Sequence, residues 1–236
     1  MNTEVTFDHK ELEAADISTF YFKPLSKFEY TAGQFIELEV PHKKPDNRGI
    51  KRWFSLSSSP TDELLTITTK QSKLEGSTFK KALFKLEPGS SLNIRGPMGD
   101  FVLPKMIQTP LIFVAGGIGI TPVHSIAKWL MSTNESRPVK LLYGVKSEND
   151  IIFQDTFKKA SIHTTILVNE PSPAWGGERG SLSAELIIGL SKPTENNLIY
   201  LSGPDIFMRK LERDLTLAGI RQDHLVLDFF HNYPTI

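Results

Sequence analysis

The 236-residue sequence contains no cysteine. That excludes disulfides, thiolate catalysis and a cysteine-ligated iron–sulfur cluster within this chain. Charge of either sign is not in excess, because 27 Lys and Arg balance 27 Asp and Glu. With no global basic field, nucleic acid is not expected as a partner. Long hydrophobic runs are missing too. The longest, Leu111–Val123, is too short for a membrane span and is broken by glycines. The opening MNTEVTFDHKELE is charged and has no apolar secretory core. A cytoplasmic chain with no membrane span is therefore expected. The six histidines (His9, His42, His124, His163, His224 and His231) show no metal-ligand spacing. Each is read as a surface or packing residue, and no metal site is expected.

What is present is an ordinary globular composition, 39% hydrophobic and 23% charged, in a length that suits one large or two small domains. The first hundred residues carry short apolar or alternating segments at Val5–His9, Ile17–Phe22, Phe35–Val40, Trp53–Ser57, Leu64–Thr69 and Ser91–Ile94. Gly, Pro, Asp or Asn separates them, which predicts the strands of an antiparallel barrel or sandwich. One helix is expected from Ser77 to Leu86, with Phe79, Ala82, Leu83 and Leu86 on one face. After Pro104 the rhythm changes. Strands are predicted at Leu111–Ala115, Val139–Val145, Ile162–Val168, Leu198–Ser202 and Leu225–Phe229. Helices are predicted at Pro122–Met131, Ser183–Leu190 and Asp205–Ala218, the last capped by Gly219. Pro171–Gly180 reads as a loop. Alternating strands and helices predict a parallel sheet covered on both faces. The expected organisation is a β-barrel domain over residues 1–104 and an α/β domain over 105–236.

Two motifs carry chemistry. In the first, Arg52-Trp53-Phe54-Ser55, strand periodicity puts Arg52 with Phe54 and Trp53 with Ser55. An arginine suits a phosphate, an aromatic ring packs on a flat cofactor, and a hydroxyl both donates and accepts. The same residues would equally suit an edge strand with core aromatics. In the second, Gly116, Gly117 and Gly119 lie between a buried strand and a helix that has Pro122 in its first turn. Glycines there let backbone N–H groups approach a phosphate, although a tight turn without a ligand has the same pattern. Tyr143-Gly144, Ser202-Gly203-Pro204 and Asp228-Phe229-Phe230 end other parallel strands and should face the same crevice. Gly76-Ser77-Thr78, at a helix start, is a second anion-site candidate or a plain N-cap.

In this order the motifs resemble those of the ferredoxin–NADP reductase superfamily, from about Asp16 to Tyr233. Gly33-Gln34-Phe35 is similar to the family's barrel strand before the flavin motif. Arg52 to Ser55 resembles its Arg-x-Tyr-Ser flavin motif. Gly96-Pro97-Met98-Gly99-Asp100-Phe101 resembles the Gly-Pro-x-Gly-x-Phe end of the barrel. Gly116 to Pro122 resembles the nicotinamide-nucleotide turn, and Ser202-Gly203-Pro204 with Met208 resembles Cys-Gly-Pro…Met. Asp228-Phe229-Phe230 is similar to the acidic-x-aromatic C-terminal motif.

The resemblance implies a flavin-binding barrel followed by a nucleotide-binding domain, with FAD rather than FMN as cofactor and NADPH or NADH as co-substrate. Arg52, with Gly76, Ser77 and Thr78, would hold the flavin, and Trp53 and Lys70 are further cofactor-binding candidates. Phe54 would flank its ring and Ser55 would bond near N5. Gly116, Gly117, Gly119, Thr121, Gly203 and Pro204 would hold the nicotinamide nucleotide. Ser55, Ser202 and Phe230 would stand at the catalytic contact. Phe54 replaces the family's usual Tyr, at the loss of one hydrogen bond worth about 0.5–1.5 kcal/mol. Ser202 replaces a frequent Cys and removes a polarizable sulfur. Many relatives carry a fused ferredoxin, haem or globin domain, so the acceptor here is expected to be a separate protein or small molecule. The implied activity is an NAD(P)H-dependent flavin oxidoreductase. A reductase of free flavin or ferric chelates, and an electron-relay subunit, stay open as alternatives. Lys146, after the second strand of the α/β part, is a candidate for a 2′-phosphate, which slightly favours NADPH.

Overall fold

The computed structural model describes residues 2–71 and 77–228. The N-terminal part contains β1 (Asn2–Ala14), β2 (Ile17–Pro24), β3 (Phe35–Glu39), β4 (Lys51–Ser55), β5 (Leu65–Lys70), α1 (Thr78–Leu83) and β6 (Ser91–Met98). The six strands pair antiparallel in the order β4-β3-β6-β1-β2-β5. Leu56, just past β4, bridges Ile67 of β5 and so joins the two edges of the sheet. Curling closes the sheet around Val5, Phe7, Phe20, Phe22, Ile36, Leu38, Leu56, Ile67 and Ile94. Phe79 and Leu83 of α1 plug one opening of this core.

The second part contains β7 (Leu111–Gly116), α2 (Ile120–Ser132), β8 (Val139–Val145), α3 (Gln154–Lys159), β9 (His163–Val168), β10 (Glu178–Arg179), α4 (Ala184–Ser191), β11 (Leu198–Ser202), α5 (Asp205–Leu217) and β12 (Leu225–Leu227). All six strands pair parallel in the order β10-β9-β8-β7-β11-β12. Alternate residues of β7 face opposite cores. Leu111, Phe113 and Ala115 pack with residues of α2, while Ile112 and Val114 pack with residues of α4 and α5. The chain leaves β7 toward β8 and returns on the other side at β11, which makes the β7/β11 junction the topological switch point.

The expected elements form, with instructive differences. The first strand runs to Ala14 rather than ending at His9, because its outer half pairs only with β2 as a solvated arm. Its charged residues are cross-strand partners: Tyr21 donates to Glu11 at 2.8 Å and stacks on His9 at 4.2 Å. The first helix stops at Leu83 rather than Leu86. The Pro171–Gly180 loop contains the two-residue strand β10. The helix α3 had no periodic signal because it is a turn and a half long with one buried residue, Phe157. Of the expected strand Leu225–Phe229, the structure gives Leu225–Leu227, and Phe229 lies outside the described residues.

The two sheets share a packed seam. Phe101, from the segment after β6, stands edge-on to Tyr200 at 5.0 Å within the α/β core. Gly33 is required here, since a Cβ on it would meet the Phe101 carbonyl oxygen at 1.9 Å and its φ is +98°. Gln34 donates to the Gly99 carbonyl at 3.2 Å. The Gly33-Gln34-Phe35 and Gly96–Phe101 motifs are thus two sides of one contact.

Candidate active site

A cleft of about 290 Å³ opens along this seam. One wall is β4, which contributes Arg52, Trp53, Phe54 and Ser55. The opposite wall is the switch point, which contributes Ile118, Gly119 and Thr121 after β7, Ser202, Gly203 and Pro204 after β11, and Asp228 after β12. Thr68 and Thr69 of β5, Ser77, Arg48 and Lys80 complete it. The two local motifs, about sixty residues apart in sequence, meet here.

The close approach of β7 and β11 has a steric cause. A Cβ on Gly119 would meet the Ser202 carbonyl oxygen at 2.4 Å and the Gly203 nitrogen at 2.5 Å. Backbone atoms cannot yield, so only glycine allows the turn to sit on Ser202-Gly203. Pro122 is the third residue of α2, where its missing N–H leaves no bond unmade.

At the bottom of the cleft, Ser55 and Ser202 both donate to Oδ2 of Asp228, each at 2.9 Å. These bonds join the barrel, β11 and the end of β12 at a single atom. Burial of the Asp228 carboxyl raises it to about 6, and the two serine hydroxyls oppose that rise. The sequence motif named Asp228 without a role. Its pairing with Ser55, 173 positions away, is visible only in three dimensions.

On β4, Phe54 stacks near Phe79 at 5.9 Å and the Arg52 guanidinium lies over the same ring at 5.1 Å. The two residues share a strand face as the periodicity predicts. Trp53 donates to Glu37 at 3.1 Å. Arg52 is buried and donates to Asp46 at 3.2 Å and to the carbonyls of Arg48 and Gly49 at 2.7 and 3.2 Å. Burial lowers the pKa of Lys80, and neighbouring Arg48 adds to the effect. Ser77 is the N-cap of α1 and accepts from the Lys80 N–H at 3.2 Å. Thr78 does not line the cleft but bonds the 41–50 loop. Gly76 and Phe230 lie outside the described residues.

A second cleft, on the far side of the glycine turn, is lined by Lys70, Gly116, Gly117, Gly144, Lys146, Asn169, Ser181 and Phe207. Ile118 and Pro204 wall both clefts, so the two are neighbours. Lys70 therefore lines this second cleft rather than the first. It bonds Asp150 and lies 3.5 Å from Asp16. Lys146 lies 3.6 Å from Glu170.

The residues fit a flavin. The first cleft has a flat aromatic wall, two hydroxyls and a carboxyl at its floor, and three cations, Arg48, Arg52 and Lys80, at one end. Arg52, Phe54, Ser55 and Lys80 are the residues that would hold such a group. Among the described residues, no helix is long and apolar enough to cross a membrane.

Comparison with known proteins agrees with this geometry. Residues 4–103 match the oxidoreductase FAD-binding domain and residues 113–213 the oxidoreductase NAD-binding domain. The chain is 29% identical over 214 residues to the ferredoxin reductase component of 3-ketosteroid-9-alpha-monooxygenase from Mycolicibacterium smegmatis, covering 86% of this chain and 56% of that protein. It is 29% identical over 199 residues to ferredoxin–NADP reductase B of Sorangium cellulosum, covering 81% of this chain and 78% of that protein. It is 26% identical over 233 residues to the glycine betaine monooxygenase reductase subunit of Chromohalobacter salexigens, covering 94% of this chain and 62% of that protein. The chain thus spans about three fifths of several curated relatives it matches. Among solved structures, a ferredoxin NADP+ reductase from Neisseria gonorrhoeae with bound FAD and NADP superposes with a TM-score of 0.80 at 18% identity, over 96% of this chain and 98% of that one, and shares the fold. With both domain families matched in order on an antiparallel barrel and a parallel sheet, the chain belongs to the ferredoxin–NADP reductase superfamily.

Proposed function

We propose that this chain is an NAD(P)H-dependent flavin oxidoreductase that takes hydride from a reduced nicotinamide and passes electrons to a separate acceptor. The observation that carries this reading is the single cleft in which the Arg52–Ser55 strand faces the glycine turn and the Ser202–Asp228 floor. A bound flavin supplies the hydride-accepting and electron-releasing chemistry. The protein's own residues orient and exclude. Phe54 offers a flat wall, and Ser55 and Ser202 donate to Asp228, whose carboxyl gives the floor a place for one further proton. Ile118 and Pro204, which wall both clefts, bring the second cleft next to the first. No acid–base side chain is required for hydride transfer itself, and the proton capacity of Asp228 serves the later release of electrons.

The cofactor-binding set of this proposal is Arg52, Trp53, Phe54, Ser55, Ser77 and Lys80 for the flavin. Gly116, Gly117, Gly119, Thr121, Gly203 and Pro204 serve the nucleotide, and Lys70, which lines the second cleft, joins them. The domain limits of the proposal are 1–104 and 105–236. The donor we assign is NADH. Lys146, the residue that would meet a 2′-phosphate, has the Glu170 carboxylate beside it, and Lys70 is balanced by Asp16 and Asp150. Among the described residues that line this cleft, a 2′-phosphate meets no cation without a carboxylate beside it. The relatives named as reductase components or subunits of monooxygenases support a protein acceptor, and the cytoplasm is the compartment this reading implies.

The test is the visible absorption spectrum of the purified chain, taken anaerobically before and after NADH. A flavin spectrum that bleaches fits the reading. A flavin spectrum that persists favours a relay subunit, and failure to bind FAD on reconstitution rejects the flavin assignment of Arg52–Ser55.

A further inference from the structure

The 41–50 loop, between β3 and β4, is fastened over the flavin end of the cleft by one carboxylate. Asp46 Oδ1 accepts from the Arg52 guanidinium at 3.2 Å and from the Arg48 N–H at 3.0 Å. Oδ2 of the same carboxylate accepts from the Thr78 N–H at 3.1 Å. Thr78 Oγ1 in turn accepts from the Asp46 N–H at 2.9 Å and lies 3.0 Å from His42 Nε2. The Arg52 side chain is only 8% exposed, and Asp46 is the one carboxylate paired with it among the described residues. Burial would raise the Asp46 carboxyl, but the bonds from Thr78 and Arg48 outweigh it and hold the group at about 2, so it is an anion at any working pH.

An arginine fork paired with one carboxylate is also the fork that suits phosphate oxygens. The guanidinium cannot serve both fully. Its NH1 is already committed to backbone carbonyls, which leaves NH2 and its Asp46 partner as the exchangeable side. A phosphate drawn to Arg52 also comes up against the Asp46 charge, which repels it.

We propose that Asp46 is an internal stand-in for the flavin phosphate: it neutralises buried Arg52 until a phosphate-bearing flavin displaces it, and so sets how tightly FMN and FAD are held. This rests on the flavin reading of the cleft. The exchange keeps a buried arginine paired in both states, which avoids the cost of an unpartnered buried charge. It also couples flavin binding to the 41–50 loop, because releasing Asp46 loosens its ties to Thr78. The flavin ring makes no use of this contact. Asp46 therefore discriminates between flavins with a phosphate and riboflavin, which has none.

The experiment is a titration of the full chain, freed of flavin by dialysis against a chaotropic salt, with riboflavin, FMN and FAD in turn, following the quenching of flavin fluorescence. Asp46→Asn removes the charge and keeps one acceptor oxygen, for the Arg48 N–H, while the amide NH2 that replaces Oδ2 no longer accepts from the Thr78 N–H. The variant is expected to bind FMN and FAD about tenfold more tightly and riboflavin as the wild type does. FMN and FAD affinities that stay the same or fall, with riboflavin unchanged, overturn the proposal and make Asp46 a loop scaffold. An equal change for all three flavins also overturns it, since the effect would not reside in the phosphate. If neither protein binds any flavin while both keep their wild-type circular dichroism, the flavin reading itself fails. Asp46→Glu, which restores a carboxylate, is expected to return FMN and FAD affinity toward the wild type.

Discussion

Asp228 collects the hydroxyls of Ser55 and Ser202 on one oxygen, and they offset only part of the cost of burying its carboxyl. Its pKa rises from 3.8 to about 6, so the folded state binds a proton that the unfolded state releases earlier. Stability linked to this group is full below pH 3.8 and falls as pH rises through about 6, by up to about 3 kcal/mol. Asp228→Asn is expected to raise the thermal midpoint at pH 7 and to leave it nearly unchanged at pH 4, as calorimetry at the two pH values would show. Ser55→Ala removes one of the two donors. Flavin reduction at saturating NADH should slow by about tenfold to a hundredfold with little change in KM. An unchanged stopped-flow rate would remove Ser55 from the mechanism. Both serines were legible in the sequence because each sits in a short motif. Asp46 was not, because its meaning depends on Thr78, 32 positions later, and on a loop without pattern.

At the scale of elements, α2 is pinned to the barrel by His124. One ring nitrogen lies 2.8 Å from the Ser57 carbonyl oxygen, the other lies 3.2 Å from Thr156 Oγ1, and the ring stacks on Phe153 at 3.7 Å. The sequence reading took His124 as a packing or surface residue, and it packs. Burial lowers its pKa to about 4. The sign here is opposite to that of Asp228. Stability is full above pH 6.5 and is lost as pH falls toward about 4, by up to about 3 kcal/mol. The two groups nearly cancel between pH 4 and 6.5. His124→Gln should unmask the Asp228 term, so that the variant's unfolding midpoint falls as pH rises from 4 to 6.5 while the wild type stays nearly flat. The β7–α2 turn makes a separate prediction. Gly119→Ala forces the turn away from Ser202 and should cost about 3 kcal/mol or more, seen as a lower urea midpoint.

For the whole molecule, the proposed preference for NADH rests on charge balance rather than on any one side chain. Steady-state rates should show a higher kcat/KM with NADH than with NADPH. Glu170→Lys turns the Lys146–Glu170 pair into two cations and should raise kcat/KM for NADPH by about tenfold, with NADH little affected. Equal effects on both donors would place this pair outside the nucleotide site. The sequence reading left NADH and NADPH open with a mild lean toward NADPH through Lys146; the Glu170 countercharge beside Lys146 becomes visible only once the chain is folded.

The sequence by itself determined the order of the strands and helices other than α3 and β10, the change from antiparallel to parallel architecture and the two glycine- and arginine-bearing motifs. Each of these is written in neighbouring residues, through periodicity, turn chemistry or spacing. Only the tertiary structure decided that Asp228 joins Ser55 to Ser202, that Asp46 answers Arg52, that His124 ties α2 to the barrel and that Lys70 lines the second cleft. Those are contacts between segments far apart in the chain. Burial, which shifts a carboxyl up at one of them and an imidazole down at another, exists only once the two sheets have closed on each other.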